Sequence, residues 1–198
     1  QLVLTGQIND VGGYTRTNVD RSYRAGLELE MAYKLNDKFR IQSATTLSQN
    51  KILNFVEFID VYLDEAPYYT QVQIQHGTTD LAFSPNFIQT IGLQFGPVKQ
   101  LALGVQTKYV SRQFLDNTSN VARSLDPFTF TNFICNYKIK QNFAQEMEIG
   151  LMVNNLLNAL YANNGYTFSY QYGGQTTTEN FYYPQAGRHF LLKMNILF

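Results

Sequence analysis

Strict alternation of apolar and polar residues over a long segment is the feature that most constrains this chain. From Ala25 to Leu35, every second residue is apolar, and the residues that alternate with them, from Arg24 to Lys34, are small or charged. A period of two is typical of a β-strand with two different faces, and this run is longer than a typical globular strand. The segment therefore predicts a long strand with one apolar and one polar face.

The same pattern recurs in other segments, namely 87–96, 101–109, 147–153 and 190–198. Such faces fit two architectures. In a soluble β-sandwich the apolar faces of two sheets pack against each other, whereas in a membrane barrel they meet lipid and the polar faces line the lumen. The periodicity alone is compatible with either.

The lengths of the connections favour the barrel. We predict strands at 1–9, 22–35, 38–50, 80–96, 99–112, 127–140, 144–159 and 183–198. The joins alternate between short ones, at 36–37, 97–98 and just after Lys140, and long ones, at 10–21, 51–79, 113–126 and 160–182. Short periplasmic turns and long extracellular loops are characteristic of outer-membrane barrels. The expected fold is an all-β, antiparallel up-and-down transmembrane barrel with a periplasmic C-terminus.

This fold fixes which side chains should face lipid and which the lumen. The predicted lumen residues are Glu28, Glu30, Gln106, Lys108, Glu148 and Lys193. The predicted lipid-facing residues are Leu27, Leu29, Met31, Leu103, Val105, Ile149, Leu151, Leu192, Met194 and Ile196. The last apolar face ends at Phe198, and a terminal aromatic residue after such a strand resembles the signal by which outer-membrane barrels are recognised for assembly.

Composition excludes several classes of function. The 198 residues carry 15 Lys and Arg against 15 Asp and Glu, without the basic excess that nucleic-acid binding requires. The single cysteine, Cys135, permits no internal disulfide and reads as a small apolar strand residue. There is no apolar run of about eighteen residues, so a membrane location requires a barrel.

Catalytic and metal motifs are absent from the sequence. The two histidines, His76 and His189, lie far apart and read as ordinary polar residues. No metalloprotease, nucleophile-elbow or P-loop motif occurs, so we expect neither an enzyme nor a cofactor. An acidic cluster, formed by Glu57, Asp60, Asp64 and Glu65, has no EF-hand spacing and is interpreted as a solvated loop face rather than a cation site.

Three stretches resemble the TonB-dependent receptor family, in the version found in Bacteroidetes-type bacteria. Residues 4–13 followed by 22–30 are similar to its Asn- and Gly-containing loop and the "G-[IVL]-E" strand after it. Residues 153–161 resemble its late "N-L-[FL]-[DN]-x-x-Y" motif, and residues 183–190 its "P-x-x-G-R-x-[FY]" ending. The motifs follow the family's order and spacing.

The resemblance implies a partner set and a role. Family barrels have about twenty-two strands around an N-terminal plug, so residues 1–198 correspond to about eight C-terminal strands, with the plug and earlier strands outside this sequence. The implied function is uptake of a scarce nutrient (siderophore, cofactor, glycan or peptide) energised by the TonB complex. The implied partners also include outer-membrane lipid and the barrel assembly machinery.

The long loops are the expected place of ligand recognition because they can vary without disturbing the lipid-facing belt. The candidate ligand-binding residues are Tyr161, Tyr166, Phe168, Tyr170 and Tyr172, with Arg112 and Arg123 as anchors for an anionic ligand. An aromatic girdle at the outer interface is the alternative for the rings nearest the strand ends. Two alternative functions remain: a self-contained eight-stranded barrel acting as adhesin, binder or anchor, and a soluble β-sandwich binding module.

Overall fold

The computed structural model describes residues 1–141 and 144–198, and every regular element in them is a β-strand. The strands are β1 (Leu2–Ile8), β2 (Tyr14–Asn18), β3 (Ser22–Lys34), β4 (Phe39–Ile52), β5 (Val56–Tyr62), β6 (Tyr69–Gln75), β7 (Thr79–Asp80), β8 (Phe87–Val98), β9 (Leu101–Val110), β10 (Gln113–Phe114), β11 (Ser124–Leu125), β12 (Phe128–Ile139), β13 (Glu146–Asn154), β14 (Ala162–Tyr172), β15 (Gln175–Pro184) and β16 (His189–Leu197). In these ranges, no helix is long and apolar enough to cross a membrane.

Seven long strands form one antiparallel sheet, here called the wall sheet. Its order is β16-β13-β12-β9-β8-β4-β3, and the short β7 pairs with the end of β4. Within the described residues, β3 and β16 each keep one unpaired edge, so the wall sheet does not close on itself. The architecture fits part of a larger barrel, as predicted, and does not support the self-contained eight-stranded alternative.

The register of the wall sheet separates apolar and polar side chains onto opposite faces. One continuous row crosses all seven strands and contains only apolar residues: Tyr33, Ile41, Leu93, Val105, Phe133, Val153 and Phe190. All ten residues predicted to face lipid share that face. All six residues predicted to line the lumen lie on the other face, where Lys193 Nζ lies 3.3 Å from Glu148 Oε1. The predicted division into two faces is confirmed.

Most of the apolar face is uncovered in the described part of the chain, and Val153 at its loop end is the buried member of the row. Leu27 is 62% exposed, Leu192 73% and Met194 58%, and no second sheet packs over them. A soluble sandwich would bury such residues in its core because burial of each large apolar side chain contributes about 1.5–3 kcal/mol. The sandwich interpretation is therefore wrong.

The connections divide between two ends of the wall sheet, as predicted. The short turns after β3 and β8 lie at the same end as Phe198. The predicted short turn after Lys140 also joins strands at that end, although residues 142–143 lie outside the described residues. The long connections, 53–86, 111–127 and 155–188, all lie at the opposite end, here called the loop end.

Several predicted boundaries are wrong, most of them at the loop end. The predicted strand 1–9 is not part of the wall sheet, because β1 pairs only with β2 in a hairpin that lies against β5. The predicted strands 80–96, 144–159 and 183–198 include residues that belong to loops, since the wall strands there are shorter. Alternation shows that a segment is extended but does not show which strand it pairs with. The sequence pattern therefore cannot distinguish β1, which pairs with β2, from a strand of the wall sheet.

The two late motifs of the family resemblance meet where β13 leaves the wall sheet. Asn155 and Asn158 have positive φ values of 49° and 56°, a conformation that Asn tolerates better than most residues. The buried Asn155 amide donates to the carbonyls of Ala159 and Ala186 at 2.9 and 3.2 Å. The Arg188 N–H donates to Asn158 Oδ1 at 2.9 Å. These hydrogen bonds fix the start of β16 relative to the end of β13.

The two-faced wall sheet generates a paired prediction for the full-length protein placed in lipid bilayers. Val105→Lys places a charge on the apolar face and should destabilise the fold by about 2–4 kcal/mol if that face meets the lipid midplane. Gln106→Lys, one residue further on the polar face, should change stability little. The temperature at which the folded band disappears on a semi-native gel measures both. Equal effects of the two lysines would refute the lipid assignment.

Candidate ligand-binding site at the loop end

The long connections fold into a second sheet, here called the loop sheet, with the order β15-β14-β5-β6. β14 and β15 form a hairpin that turns through Gly173 and Gly174, whose positive φ values of 57° and 76° suit glycine. β5 and β6 form a second hairpin. A short parallel pairing of three residue pairs, from Tyr170↔Asp60 to Tyr172↔Tyr62, joins the two hairpins.

One face of the loop sheet carries a continuous series of aromatic rings that runs across all four strands. Alternate residues of β14 point to this face, and their cross-strand neighbours add further rings. We call this series the aromatic platform, and it consists of Tyr183, Tyr166, Phe181, Phe168, Tyr170, Tyr62 and Tyr69. Ring centroids are 4.8 Å apart for Tyr166 and Phe181, and 6.0 Å apart for Tyr62 and Tyr170. Tyr166 and Phe168 remain 45% and 39% exposed.

The platform includes three of the five aromatic residues proposed from the sequence, namely Tyr166, Phe168 and Tyr170. Tyr172 is on the same face, and its hydroxyl donates to Asp64 Oδ1 at 2.8 Å, which raises the pKa of Tyr172. Tyr161 lies elsewhere: it stacks on Phe128 and Phe130 of the wall sheet, with centroids 4.6 and 5.6 Å away. Burial raises the pKa of Tyr161.

Sequence analysis missed Tyr62 and Tyr69, which extend the platform onto the second hairpin. They are direct cross-strand partners with ring centroids 5.7 Å apart. The available signal was a pair of tyrosines flanking a Pro-containing turn at 63–68, which is typical of a hairpin. Their position beside β14 depends on the parallel pairing, which no local pattern reveals.

A cleft of about 450 Å³ lies between β5 and β14, next to the residues that precede their short pairing in each strand. Phe58 of β5 lines one side, and Tyr166 and Phe168 of β14 line the other, so the platform continues into the cleft. β1 forms a further wall, on which Leu2 and Leu4 are about half exposed. β1 approaches β5 closely at Gly6, since a Cβ there would collide with the Phe58 carbonyl oxygen.

A buried arginine joins two of the long connections, 53–86 and 111–127, next to the cleft. Arg123 donates through Nη1 to Glu57 and to Asp116 Oδ2, the latter at 3.0 Å, and His76 Nε2 lies 2.9 Å from Glu57 Oε2. Burial lowers the pKa of Arg123, but the hydrogen bonds and charges of Glu57 and Asp116 outweigh burial and raise it. We call Arg123, Glu57 and Asp116 the arginine clamp. Arg123 was proposed as a ligand anchor, but two carboxylates already bind its guanidinium. Its buried Nε–H has no acceptor among the described residues.

Arg112, the other proposed anchor, is in a different setting. Its side chain is 41% exposed, and Nη2 lies 3.6 Å from Oδ1 of the exposed Asp126. Arg112 is not among the residues that line the cleft. The structure therefore does not bring the two proposed arginines together.

The acidic residues proposed as a solvated cluster are instead dispersed among separate partners. Asp60 is buried and accepts from Tyr14, Tyr69 and the Gln71 amide at 3.0, 2.6 and 2.8 Å. Burial, followed by the hydrogen bond and charge of Asp60, raises the pKa of Tyr14 to about 12 and also raises that of Tyr69.

Glu57 is buried in the arginine clamp, so the interpretation as a solvated loop face is wrong for Glu57 and Asp60. In the part of the chain that the structure describes, no group of three or more His, Cys, Asp or Glu side chains is arranged to hold a metal ion.

Comparisons with known proteins show the fold. No protein-family model matches the chain, and no curated protein matches its sequence. The siderophore receptor PiuA from Acinetobacter baumannii matches with a TM-score of 0.65 and 18% identity over 92% of this chain. The closed form of the ferric-catecholate import receptor Fiu from E. coli K12 matches with a TM-score of 0.60 and 18% identity over 99% of this chain. The chain spans 23% of the length of each receptor.

The arginine clamp generates a prediction about the order of the loops. Arg123→Gln removes the guanidinium from the buried Glu57 and the half-buried Asp116, and removing one partner of a buried ion pair costs about 3–5 kcal/mol. We expect hydrogen exchange in residues 111–127 and in β5 to accelerate strongly. Arg112→Gln, which removes an exposed pair worth at most about 1 kcal/mol, is the matched control. Unchanged exchange in the Arg123 variant would show that the clamp does not hold the loops.

Proposed function

We propose that this chain is the C-terminal part of the barrel of an outer-membrane receptor that takes up a scarce nutrient with energy from TonB. The observation that carries the proposal is that one chain combines a two-faced wall sheet with an exposed aromatic platform at the loop end of that sheet. The wall sheet has the uncovered apolar face that contact with lipid requires. The platform offers exposed rings at the end where outer-membrane barrels carry their long extracellular loops.

The same geometry supports an orientation in the membrane, which is part of the proposal. The end with the short turns and Phe198 would face the periplasm, and the loop sheet would face the cell exterior. Phe198 would act as the assembly signal read by the barrel assembly machinery. The remaining strands would pair with the free edges of β3 and β16, a plug would fill the lumen, and TonB would act through a segment before the plug.

The ligand is proposed from the platform and from the structural neighbours. Stacked aromatic rings favour a ligand with a flat or ring-shaped surface, because ring pairs contribute about 0.5–1.5 kcal/mol beyond their buried area. The names of the two neighbouring receptors favour a siderophore within the wider set of siderophore, cofactor, glycan and peptide. The three sequence motifs favour a Bacteroidetes-type receptor. We propose binding and transport rather than catalysis.

Uptake by cells that express the full-length receptor tests this function. The probe is the radiolabelled ferric complex of 2,3-dihydroxybenzoate, chosen because one neighbour imports ferric catecholates. Uptake should require both the receptor and TonB. The double variant Tyr166→Ala and Phe168→Ala should weaken binding of the probe about 10- to 100-fold, since two stacking surfaces are removed.

Tyr68→Ala is the matched control, because Tyr68 is an exposed loop tyrosine outside the platform. It should bind and import the probe like the parent receptor. Surface levels of all variants are compared by labelling intact cells. Uptake that continues without TonB would contradict the transport proposal, and equal effects of the platform and control variants would contradict the platform.

A further inference from the structure

The charged residues that line the cleft differ in whether the protein already satisfies them. Three carboxylates contribute to the lining, and each has donors within the chain. Glu57 and Asp116 belong to the arginine clamp, and Asp116 also accepts from the backbone and hydroxyl of Thr118 at 3.0 and 2.6 Å. Asp60 accepts from two tyrosine hydroxyls and an amide. These three carboxylates therefore have few free acceptor positions for a cationic ligand.

Two lining arginines lack an acidic partner in the described part of the chain. Arg24 is held by neutral acceptors only: its Nε donates to Gln1 Oε1 at 3.3 Å, and its Nη1 donates to Asn50 Oδ1 and Ser84 Oγ, each at 3.2 Å. These contacts fix the guanidinium beside the cleft and leave its charge uncompensated. A cation held in this way is ready to bind an anion without first breaking an ion pair.

Arg16 of β2 is the second uncompensated cation of the lining. It pairs in register with Leu4 of β1, and no described residue forms an ion pair or hydrogen bond with its side chain. Arg123 also lines the cleft, and its buried Nε–H has no acceptor among the described residues. Among the charged side chains that line the cleft, the arginines therefore keep free donors while the carboxylates are occupied.

We infer that the cleft binds an anionic ligand with a ring-shaped apolar body, whose acidic group is recognised by Arg16 and Arg24. The apolar body would lie between Leu2 and Leu4 on one side and the rings of Tyr166 and Phe168 on the other. The inference rests on the proposed function, since it names the charge class of the nutrient that the platform captures. It does not depend on whether the captured molecule carries iron.

A pair of probes with the same ring body isolates the charge. Isothermal titration calorimetry on the purified full-length receptor in detergent compares 1-naphthoate with the neutral 1-naphthamide, with empty micelles as the blank. The parent receptor should bind naphthoate at least about tenfold more tightly, since hydrogen bonds to ionised groups are roughly twice as strong as neutral ones. Equal affinities, or no detectable binding of naphthoate, would overturn the inference.

Arginine variants then locate the anion. Arg16→Gln and Arg24→Gln should each reduce the preference for naphthoate, and the double variant should abolish it while leaving naphthamide binding unchanged. Arg24→Lys, which keeps the charge, should retain part of the preference. Arg21→Gln is the matched control, because Arg21 is exposed nearby but does not line the cleft. A preference that survives in the double variant would place the anion elsewhere and overturn the assignment.

Folding and transport are measured separately from charge recognition. Each variant is checked on a semi-native gel, and only receptor with the parent's melting temperature is titrated. A parent receptor that shows no preference for naphthoate but still imports the ferric probe with TonB would refute the charge class alone. Charge discrimination that depends on the two arginines in a receptor without energised uptake would refute the transport proposal and leave the cleft assignment standing.

Discussion

The register of the seven wall strands is the constraint on which the rest of the structure depends. Because side chains alternate with a period of two, a slip of one residue in any strand would exchange its apolar and polar faces. The row from Tyr33 to Phe190 shows that all seven strands agree on one register. With the wall fixed, the ends of the strands determine where each long connection begins, and the loop sheet is assembled from those fixed points.

The loop sheet needs interactions of its own, because a hairpin that projects from a barrel is only marginally stable alone. The arginine clamp ties β5 to the connection between β9 and β12, and Asp60 ties β5 to β2 and β6. The Asn155 hydrogen bonds fix the connection on which β14 and β15 are carried. These polar contacts hold a platform of exposed rings in place, and persistent exposure of grouped aromatic residues is typical of a binding surface.

The sequence predicted the wall sheet well because its determinants are local. The alternation in β3 and the short turn at Asn36 and Asp37 can be read from neighbouring residues, and the structure confirms both. The loop sheet was missed because its central pairing joins Asp60 to Tyr170, which are far apart in sequence. The burial of Arg123 was missed for the same reason: its partner Glu57 lies on another loop, and an arginine in a polar segment ordinarily indicates exposure.

The short parallel pairing also explains why a cleft exists at this point. β14 pairs with β5 only at 170–172, so residues 165–169 have a ladder partner on the β15 side and none on the β5 side. Before Asp60, β5 pairs with β6 on one side, and β1 packs against it at Gly6. β14 therefore keeps unpaired backbone groups on the β5 side in the stretch where Tyr166 and Phe168 line the cleft, and Arg24 also belongs to the lining. In the inferred binding mode, a molecule in the cleft gains peptide hydrogen bonds from β14, stacking and ion pairing together, and the pairing at 170–172 joins the two strands between which it lies.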